Sequence, residues 1–378
     1  MEPGHAVGSL LALSGLVIWV IIFLLPWRPW NTHESLDADI PGPSADLSRI
    51  TVLIPARNEQ DVISQTLDGL AAQGKSLRII LIDDQSDDQT ASIALQKKLS
   101  GFEIIIGEPL PEGWSGKLWA LEQGRKQVET ELVLLLDADI ALKPGTLKAL
   151  LNKLDLEQLD MLSLMACLSM ESRWEKLLMP AFIFFFKLLY PFRLSNSVSP
   201  YVAAAAGGCI LIKTSALNKA GAFASLCNKL IDDCALARKV KDAGGKIWIG
   251  LTHSAVSLRP YNNLGMIWDM VTRCAFTQLR YSWALLLACT LLMIMTFVFP
   301  VIAVLAAGFW AAIWGFLTLL LMYICYLPIL NYYRLNPLLG CCIPLIGVFY
   351  MIMTWSSAWR HLFMGGTRWK NRSYSGSA

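Results

Sequence analysis

Apolar residues fall along this chain in two rhythms. Between residues 49 and 260, short runs rich in branched side chains alternate with stretches of helical periodicity. Ile50–Pro55 (ITVLIP), Leu77–Asp83 (LRIILID), Phe102–Ile106, Leu132–Asp137 (LVLLLD) and Lys246–Leu251 have the length and content of buried strands. Helices are expected over about Glu59–Ala72, Gln89–Leu99 and Lys117–Val128. Strands and helices alternating at this spacing predict an α/β layer built on a mostly parallel sheet. Ligands of such sheets bind beyond the carboxyl ends of the strands. That singles out Pro55-Ala56-Arg57-Asn58-Glu59, Asp83-Asp84 and Asp137-Ala138-Asp139.

Outside this region the apolar runs are long. A bilayer core about 30 Å thick requires roughly 20 apolar residues of helix. Residues 8–25 (GSLLALSGLVIWVIIFLL) meet that requirement, with Trp27 and Trp30 as interfacial aromatics. The run lacks a basic region before it and a small-residue cleavage site after it, which favours an anchor over a signal peptide. The 53 residues Tyr281–Tyr333 carry no charge and fit a hairpin of two spans, Trp283–Leu305 and Gly308–Pro328; a third span runs from about Leu338 to Trp359. Residues 283–359 thus form a membrane region of about three helices, followed by a basic tail, 360–378. Lys176–Phe192 is a further apolar stretch, interrupted by Pro180, Lys187 and Pro191, and reads as an interfacial helix; a buried core helix is the plain alternative. Ser35–Ser48 reads as a linker.

Composition sharpens this division. The 378 residues are 55% hydrophobic and 16% charged, with a mean hydropathy of +0.48. Residues 28–280 hold 27 of the 32 basic and 28 of the 29 acidic residues, so the body is one charge negative, and the +3 total comes from five basic residues after Arg280. A near-neutral body lacks the basic excess of a nucleic-acid binder. The nine cysteines form no CxxC pair and are read as packing residues. Arg28 directly after the first span places the large domain in the cytoplasm. Arg360, Arg368, Lys370 and Arg372 favour the inside too, whereas four spans would put the tail outside.

Several residues in the body have chemistry beyond packing. Asp137 and Asp139, one residue apart at the end of an apolar strand, can address one hard divalent cation such as Mg2+ or Mn2+; a solvated turn with Asp139 as helix cap is the plainer alternative. Asp83 and Asp84 can accept hydrogen bonds from a base and a ribose, although Asp87 or Asp88 in the same loop can simply cap a helix. Lys117 stands where a helix begins, a natural place for a diphosphate. The segment is no Walker loop, because Leu118 follows Lys117 where Ser or Thr is required. Gly207-Gly208 allows close approach of backbone to a ligand, or is only a tight turn. Asp232-Asp233 opens a helix, where acids belong for dipole reasons and where one of them can also act as a general base. His253, among only four histidines, is a candidate metal ligand or a structural side chain.

In this order, IPARNE, the DDQSDDQT loop, Lys117, the DAD triplet, Gly207-Gly208, Asp232-Asp233 and His253 resemble the glycosyltransferases of family 2, which have the GT-A nucleotide-sugar fold. The resemblance covers about residues 49–260. Membrane helices on both sides resemble the lipid-modifying branch, with its ceramide and carotenoid glycosyltransferases. LPEGWSGKLWALEQG and AFTQLRYS are similar to the hopene-associated glycosyltransferases of bacteria. The resemblance implies an inverting transferase in the bacterial inner membrane, with its catalytic domain in the cytoplasm, moving a sugar from a UDP-sugar to a lipid hydroxyl. It implies that Pro55, Ala56, Arg57, Glu59, Asp83, Asp84, Lys117, Asp137, Asp139, Gly207, Gly208 and Arg280 bind the nucleotide-sugar. It further implies that Asp139, Asp137 and His253 hold Mn2+ or Mg2+, and that Asp233, beside Asp232, is the catalytic base.

One motif departs from that pattern. Ceramide and polysaccharide enzymes carry Q/RxxRW before the membrane hairpin, whereas this chain has Thr277-Gln278-Leu279-Arg280-Tyr281. The change counts against a processive polysaccharide synthase, which stays an alternative together with a non-catalytic lipid or nucleotide-sugar binding protein.

Overall fold

A computed structural model describes residues 3–38, 45–227, 231–306, 308–363, 367–369 and 372–374. It comprises a sheet unit, Glu34–Ser169 with Phe192–Pro260, and a helical unit, Met1–His33 with Met170–Pro191 and Tyr261–Ala378.

In the sheet unit the apolar runs become strands covered on both faces. Leu132–Leu136 is buried at every position, and Ile50–Ala56 at every position except Pro55. Successive side chains of a strand point to opposite faces. Val52, Ile54, Leu134 and Leu136 therefore enter one apolar core, and Leu53, Val133 and Leu135 enter the other. This double coverage is why the runs show no polar alternation. The strands are β1 Ile50–Ala56, β2 Arg78–Asp83, β3 Phe102–Ile106, β4 Leu132–Leu136, β5 Ile140–Leu142, β6 Met161–Cys167, β7 Cys209–Lys213 and β8 Ile247–Ser257. They form one sheet in the order β3-β2-β1-β4-β7-β6-β8-β5. β1 pairs in parallel with β2 and β4, β2 with β3, and β6 with β8. β7 runs antiparallel to β4 and β6, and β5 to β8. The sheet is the mostly parallel α/β layer that the sequence predicts.

The two antiparallel insertions build the site. Pairing of Leu136 with Cys209 puts the start of β7 at the carboxyl end of β4, so Gly208 meets Asp137 and its carbonyl accepts the Asp137 N–H at 3.1 Å. Pairing of Ser257 with Ile140 brings the end of β8 back to the same place, where Leu258 N–H donates to the Asp139 carbonyl at 2.7 Å. Behind this turn packs the helix Ile63–Ala71. Its Gly69 leaves no room for a side chain, because a Cβ would lie 2.9 Å from both the backbone N and O of Leu142. Gly69→Ala is therefore expected to cost about 1–3 kcal/mol through forced backbone shifts, seen as a lower thermal midpoint of the detergent-solubilised protein; an unchanged midpoint would contradict this packing.

Two expectations need correction here. The first helix of the sheet unit begins at Ile63 rather than Glu59; Glu59–Val62 form a turn, Val62 N–H donating to the Glu59 carbonyl at 3.0 Å, and the Glu59 N–H is held by Thr90 Oγ1 at 2.8 Å. β8 does not stop at Leu251 but continues to Ser257, so His253 lies within the strand rather than beyond its end. Part of the expected linker sustains it there. Leu36 N–H donates to Leu251 O, and Leu251 N–H to Glu34 O. The Asp37 carboxylate accepts from Thr252 Oγ1 at 3.0 Å and from the His253 backbone at 2.5 Å. Residues 39–44 of that linker lie outside the described residues.

In the helical unit, three helical segments among the described residues are long and apolar enough to cross a membrane: Trp283–Ala306, Phe309–Tyr332 and Pro337–Phe363. The first contains a π-helical turn, Ile294–Val298, and the third opens with a 3-10 turn, Pro337–Cys342. The N-terminal helix runs Pro3–Leu24; its apolar part Gly8–Leu24 is shorter than those three. The helix Arg173–Leu189 starts at a capping box between Ser172 and Glu175 and includes Pro180. Its Phe184 packs against Trp19 and Tyr326, and Tyr350 donates to the Leu178 carbonyl at 2.9 Å, so this face is a packing face within the unit. Of the basic tail, 364–366, 370–371 and 375–378 lie outside the described residues.

Candidate active site

At the carboxyl ends of β1, β2 and β4 the sheet unit gathers acids around two cations. Lys117 is the second residue of the helix Gly116–Arg125, whose N-cap Ser115 accepts from Leu118 N–H. Its ammonium contacts Asp137 Oδ1 at 2.5 Å. Gly207 closes over the pair: a Cβ there would sit 3.3 Å from Lys117 Nζ and 3.4 Å from Asp233 Oδ2. Close approach to these side chains, not a positive φ, is thus what favours glycine at this position. Gly207 N–H donates to Asp233 Oδ2 at 2.9 Å, while Asp233 Oδ1 accepts from Cys234 N–H at 2.7 Å. Lys117, Gly207, Asp232 and Asp233 share a cavity of roughly 20 Å3 with apolar side chains that include Leu135 and Phe223. That is room for about one water molecule.

The electrostatics follow from this crowding. Burial, with the neighbouring Asp232 adding to it, raises the Asp233 carboxyl to about 6 against the pull of two backbone N–H groups and Lys117. Burial by itself would depress the Lys117 ammonium, but Asp137, Asp232 and Asp233 together outweigh it and hold the charge well above the usual range. Burial also raises Asp137, with Asp139 and Asp232 adding to the effect and Lys117 opposing it.

Asp139 has a cation of its own. Arg259, two residues past the end of β8, donates from Nε to Asp139 Oδ2 at 2.8 Å and from Nη2 to Glu59 Oε1 at 3.1 Å. The turn itself is pinned by Thr66 Oγ1, which donates to the Ala138 carbonyl at 2.7 Å. Neither Arg259 nor Thr66 stood out in the sequence. For Arg259 a signal exists: it is the only basic residue between Lys246 and Arg273.

The loop after β1 and the loop after β2 are stitched together nearby. Arg57 Nη1 donates to the Asp84 carbonyl at 2.5 Å, Asn58 N–H to Ser86 Oγ at 3.0 Å and Asp87 N–H to Asn58 Oδ1 at 2.9 Å. Asp83 is buried and accepts from Ser86 Oγ at 2.5 Å. Arg57 Nε is a buried donor with no hydrogen-bond partner, a cradle suited to an acceptor atom from a ligand. Pro55 and Ala56 end β1 opposite Ile82 and Asp83.

Not every predicted residue joins this group. His253 Nδ1 lies 3.1 Å from Asp37 Oδ2, five residues along the chain from the Leu258 contact with Asp139, so it is not a third ligand beside Asp137 and Asp139. The position next to Asp139 is held by Arg259. Arg280 belongs to the helical unit, just past the helix Leu264–Gln278, with a left-handed φ of 52°. Tyr281, in the place of the motif tryptophan, stacks on His361 at 4.4 Å.

Among the described residues no group of three or more His, Cys, Asp or Glu side chains is arranged to hold a metal. Two carboxylates nevertheless fit Mg2+ or Mn2+, ions that are usually bound by one or two carboxylates, with substrate phosphates supplying further ligands. Among the described residues, Lys117 pairs with Asp137, and Arg259 with Asp139 and Glu59, so an anionic ligand entering among these acids is favoured by a cation that comes with it.

Comparison with known proteins agrees with this reading of the fold. Residues 51–221 match the model of glycosyl transferase family 2. A 4,4'-diaponeurosporenoate glycosyltransferase from Staphylococcus haemolyticus (strain JCSC1435) is 28% identical over 138 residues, 36% of this chain and 34% of the relative. An undecaprenyl-phosphate 4-deoxy-4-formamido-L-arabinose transferase from Salmonella paratyphi B (strain ATCC BAA-1250 / SPB7) is 30% identical over 116 residues, 30% of this chain and 35% of the relative. The chain thus spans about a third of the length of these relatives. Among solved structures, a mannosyltransferase from Pyrobaculum calidifontis in complex with GDP-Man and Mn2+ has a TM-score of 0.59 at 18% identity, covering 94% of this chain and 99% of that one. At that identity the likeness is one of fold.

Proposed function

We propose that this protein, whose residues 51–221 match the model of glycosyl transferase family 2, is an inverting, metal-dependent transferase that moves a sugar from a nucleotide-sugar to a membrane lipid hydroxyl. The observation that carries the reading is the arrangement around Asp233: a buried carboxylate, raised to about 6, fixed by Gly207 N–H and set beside Lys117 at the strand ends. Such a group is ionised at neutral pH yet still a usable base. Asp233 takes the proton of the acceptor hydroxyl. The acceptor oxygen attacks the anomeric carbon from the face opposite the nucleotide, the anomeric C–O bond breaks, and its electron pair leaves with the diphosphate. Lys117 supplies positive charge towards that leaving group. Asp139 and Asp137 are the residues that would hold Mn2+ or Mg2+, which when bound neutralises charge on the diphosphate. Asp83, Asp84 and the Pro55–Glu59 loop receive the nucleoside, proposed to be uridine. Arg280 and His253 have no role in this reading that the sheet unit supports.

The lipid acceptor is proposed from the three apolar helices and from the relatives named above, a 4,4'-diaponeurosporenoate glycosyltransferase and an undecaprenyl-phosphate 4-deoxy-4-formamido-L-arabinose transferase. The resemblance of LPEGWSGKLWALEQG to hopene-associated enzymes puts hopanoids in the same panel. Arg28, directly after the first apolar helix, supports a sheet unit on the cytoplasmic side.

The test is nucleoside diphosphate release by the detergent-purified full chain with Mn2+, over a panel of UDP- and GDP-sugars, with and without bacterial lipid extract. Lipid-dependent release that stops on chelation is expected. Nucleotide binding with no transfer to any lipid would replace this reading with a binding protein, and long sugar chains would replace it with a polymer synthase.

A further inference from the structure

One cation of the site has no part in the chemistry above. Arg259 spans two acids, reaching Asp139 with Nε and Glu59 with Nη2. Both acids are anchored through their backbones, Glu59 by Thr90 and Asp139 by Leu258. A planar guanidinium can serve two carboxylates at once in a way that an ammonium cannot. The three side chains differ in freedom: Arg259 is 33% exposed, Asp139 18% and Glu59 12%. Of the three, the arginine has the most room to move.

A guanidinium therefore already sits on Asp139 Oδ2, on the carboxylate that the proposed function gives to a divalent ion. Two cations at contact distance from one carboxylate oxygen repel each other. We infer that Arg259 is a resident counter-cation that competes with the metal for Asp139 and yields it when the nucleotide-sugar arrives, remaining anchored on Glu59. Arg259 is thus a positioning residue that sets the order of binding, an inference that rests on the reading of Asp139 as a metal-holding residue. A metal ion arriving alone has to displace the guanidinium from one of its two carboxylate partners. A metal ion arriving with a diphosphate offers the guanidinium a new anionic partner. Metal and nucleotide consequently bind with positive coupling, and by linkage each strengthens the other by the same factor.

The experiment is Mn2+ binding to the full chain, followed by electron paramagnetic resonance, with Mn2+ alone and with Mn2+ plus UDP. Arg259→Gln is expected to bind Mn2+ alone about tenfold tighter than the unmodified protein, equivalent to about 1.4 kcal/mol, and to lose most of the gain that UDP gives. Arg259→Lys should keep the weak metal-alone binding. Glu59→Gln should weaken it further, because Arg259 loses the charge of one of its two carboxylate partners and holds Asp139 more tightly. A gain in metal affinity is not what the loss of a merely structural arginine would produce. Metal-alone binding no tighter in Arg259→Gln overturns the inference while leaving the proposed function intact. Should Arg259→Gln fail to fold, unchanged or tighter metal-alone binding in Glu59→Gln overturns it equally. If the unmodified protein binds neither Mn2+ nor UDP, the functional reading falls, and this inference with it.

Discussion

Asp233→Asn is expected to reduce turnover by roughly 10²–10⁴-fold, the range over which a positioned general base contributes, while nucleotide binding changes little. The reason is geometric. An asparagine oxygen can still accept from Gly207 N–H, which Asp233 Oδ2 meets at 2.9 Å, so the glycine loop keeps its place while the base is lost, at the cost of the bond that Asp233 Oδ1 accepts from Cys234 N–H. The pH dependence gives an independent check. Burial, with Asp232 adding to it, places the Asp233 carboxyl at about 6. Below that value the carboxyl is protonated and cannot accept the acceptor's proton; above it the base is ionised. Activity of the unmodified protein should rise through about pH 6 and then level. Turnover within tenfold of normal in Asp233→Asn would remove Asp233 from the mechanism.

Lys117→Met is expected to lower kcat/KM by roughly 10²–10³-fold, as the loss of a preorganised charge partner does elsewhere. It should also move the acid limb of the pH profile. Lys117 is one of the groups that pull the Asp233 carboxyl down, and its ammonium lies 2.5 Å from Asp137. Without it the carboxyl rises further, so the limb shifts from about 6 to higher pH. Lys117→Arg keeps the charge and should keep the limb near its original position. A Lys117→Met protein that loses activity with an unmoved limb would mean that Lys117 acts on the leaving group alone.

The parts of the site that lie along single strands were legible in the sequence. Asp83 and Asp84 end an apolar run, as do Asp137 and Asp139 after LVLLL, because strand runs and the residues that close them are local features. The three long apolar helices were legible for the same reason. What the sequence hid depends on antiparallel returns. Gly207 reaches Lys117 and Asp233 only because β7 runs back along β4, and Arg259 reaches Asp139 only because β8 ends where β5 begins. Arg259 and Asp139 are 120 positions apart and share no local pattern. His253 misled for a related reason. The polar run Thr252-His253-Ser254 reads as the end of a strand, yet Asp37, more than 200 residues earlier, supplies the partner that lets the strand continue.

The measurement closest to the central claim is transfer itself. The full chain, reconstituted in vesicles of bacterial lipid with Mn2+ and a sugar-labelled nucleotide donor, would be assayed for label in the organic phase, beside Asp233→Asn under the same conditions. The account predicts label on a single lipid species with one sugar added, abolished by chelation and nearly absent in Asp233→Asn. Label that stays entirely in the aqueous phase despite donor binding, or that appears equally with Asp233→Asn, would contradict it.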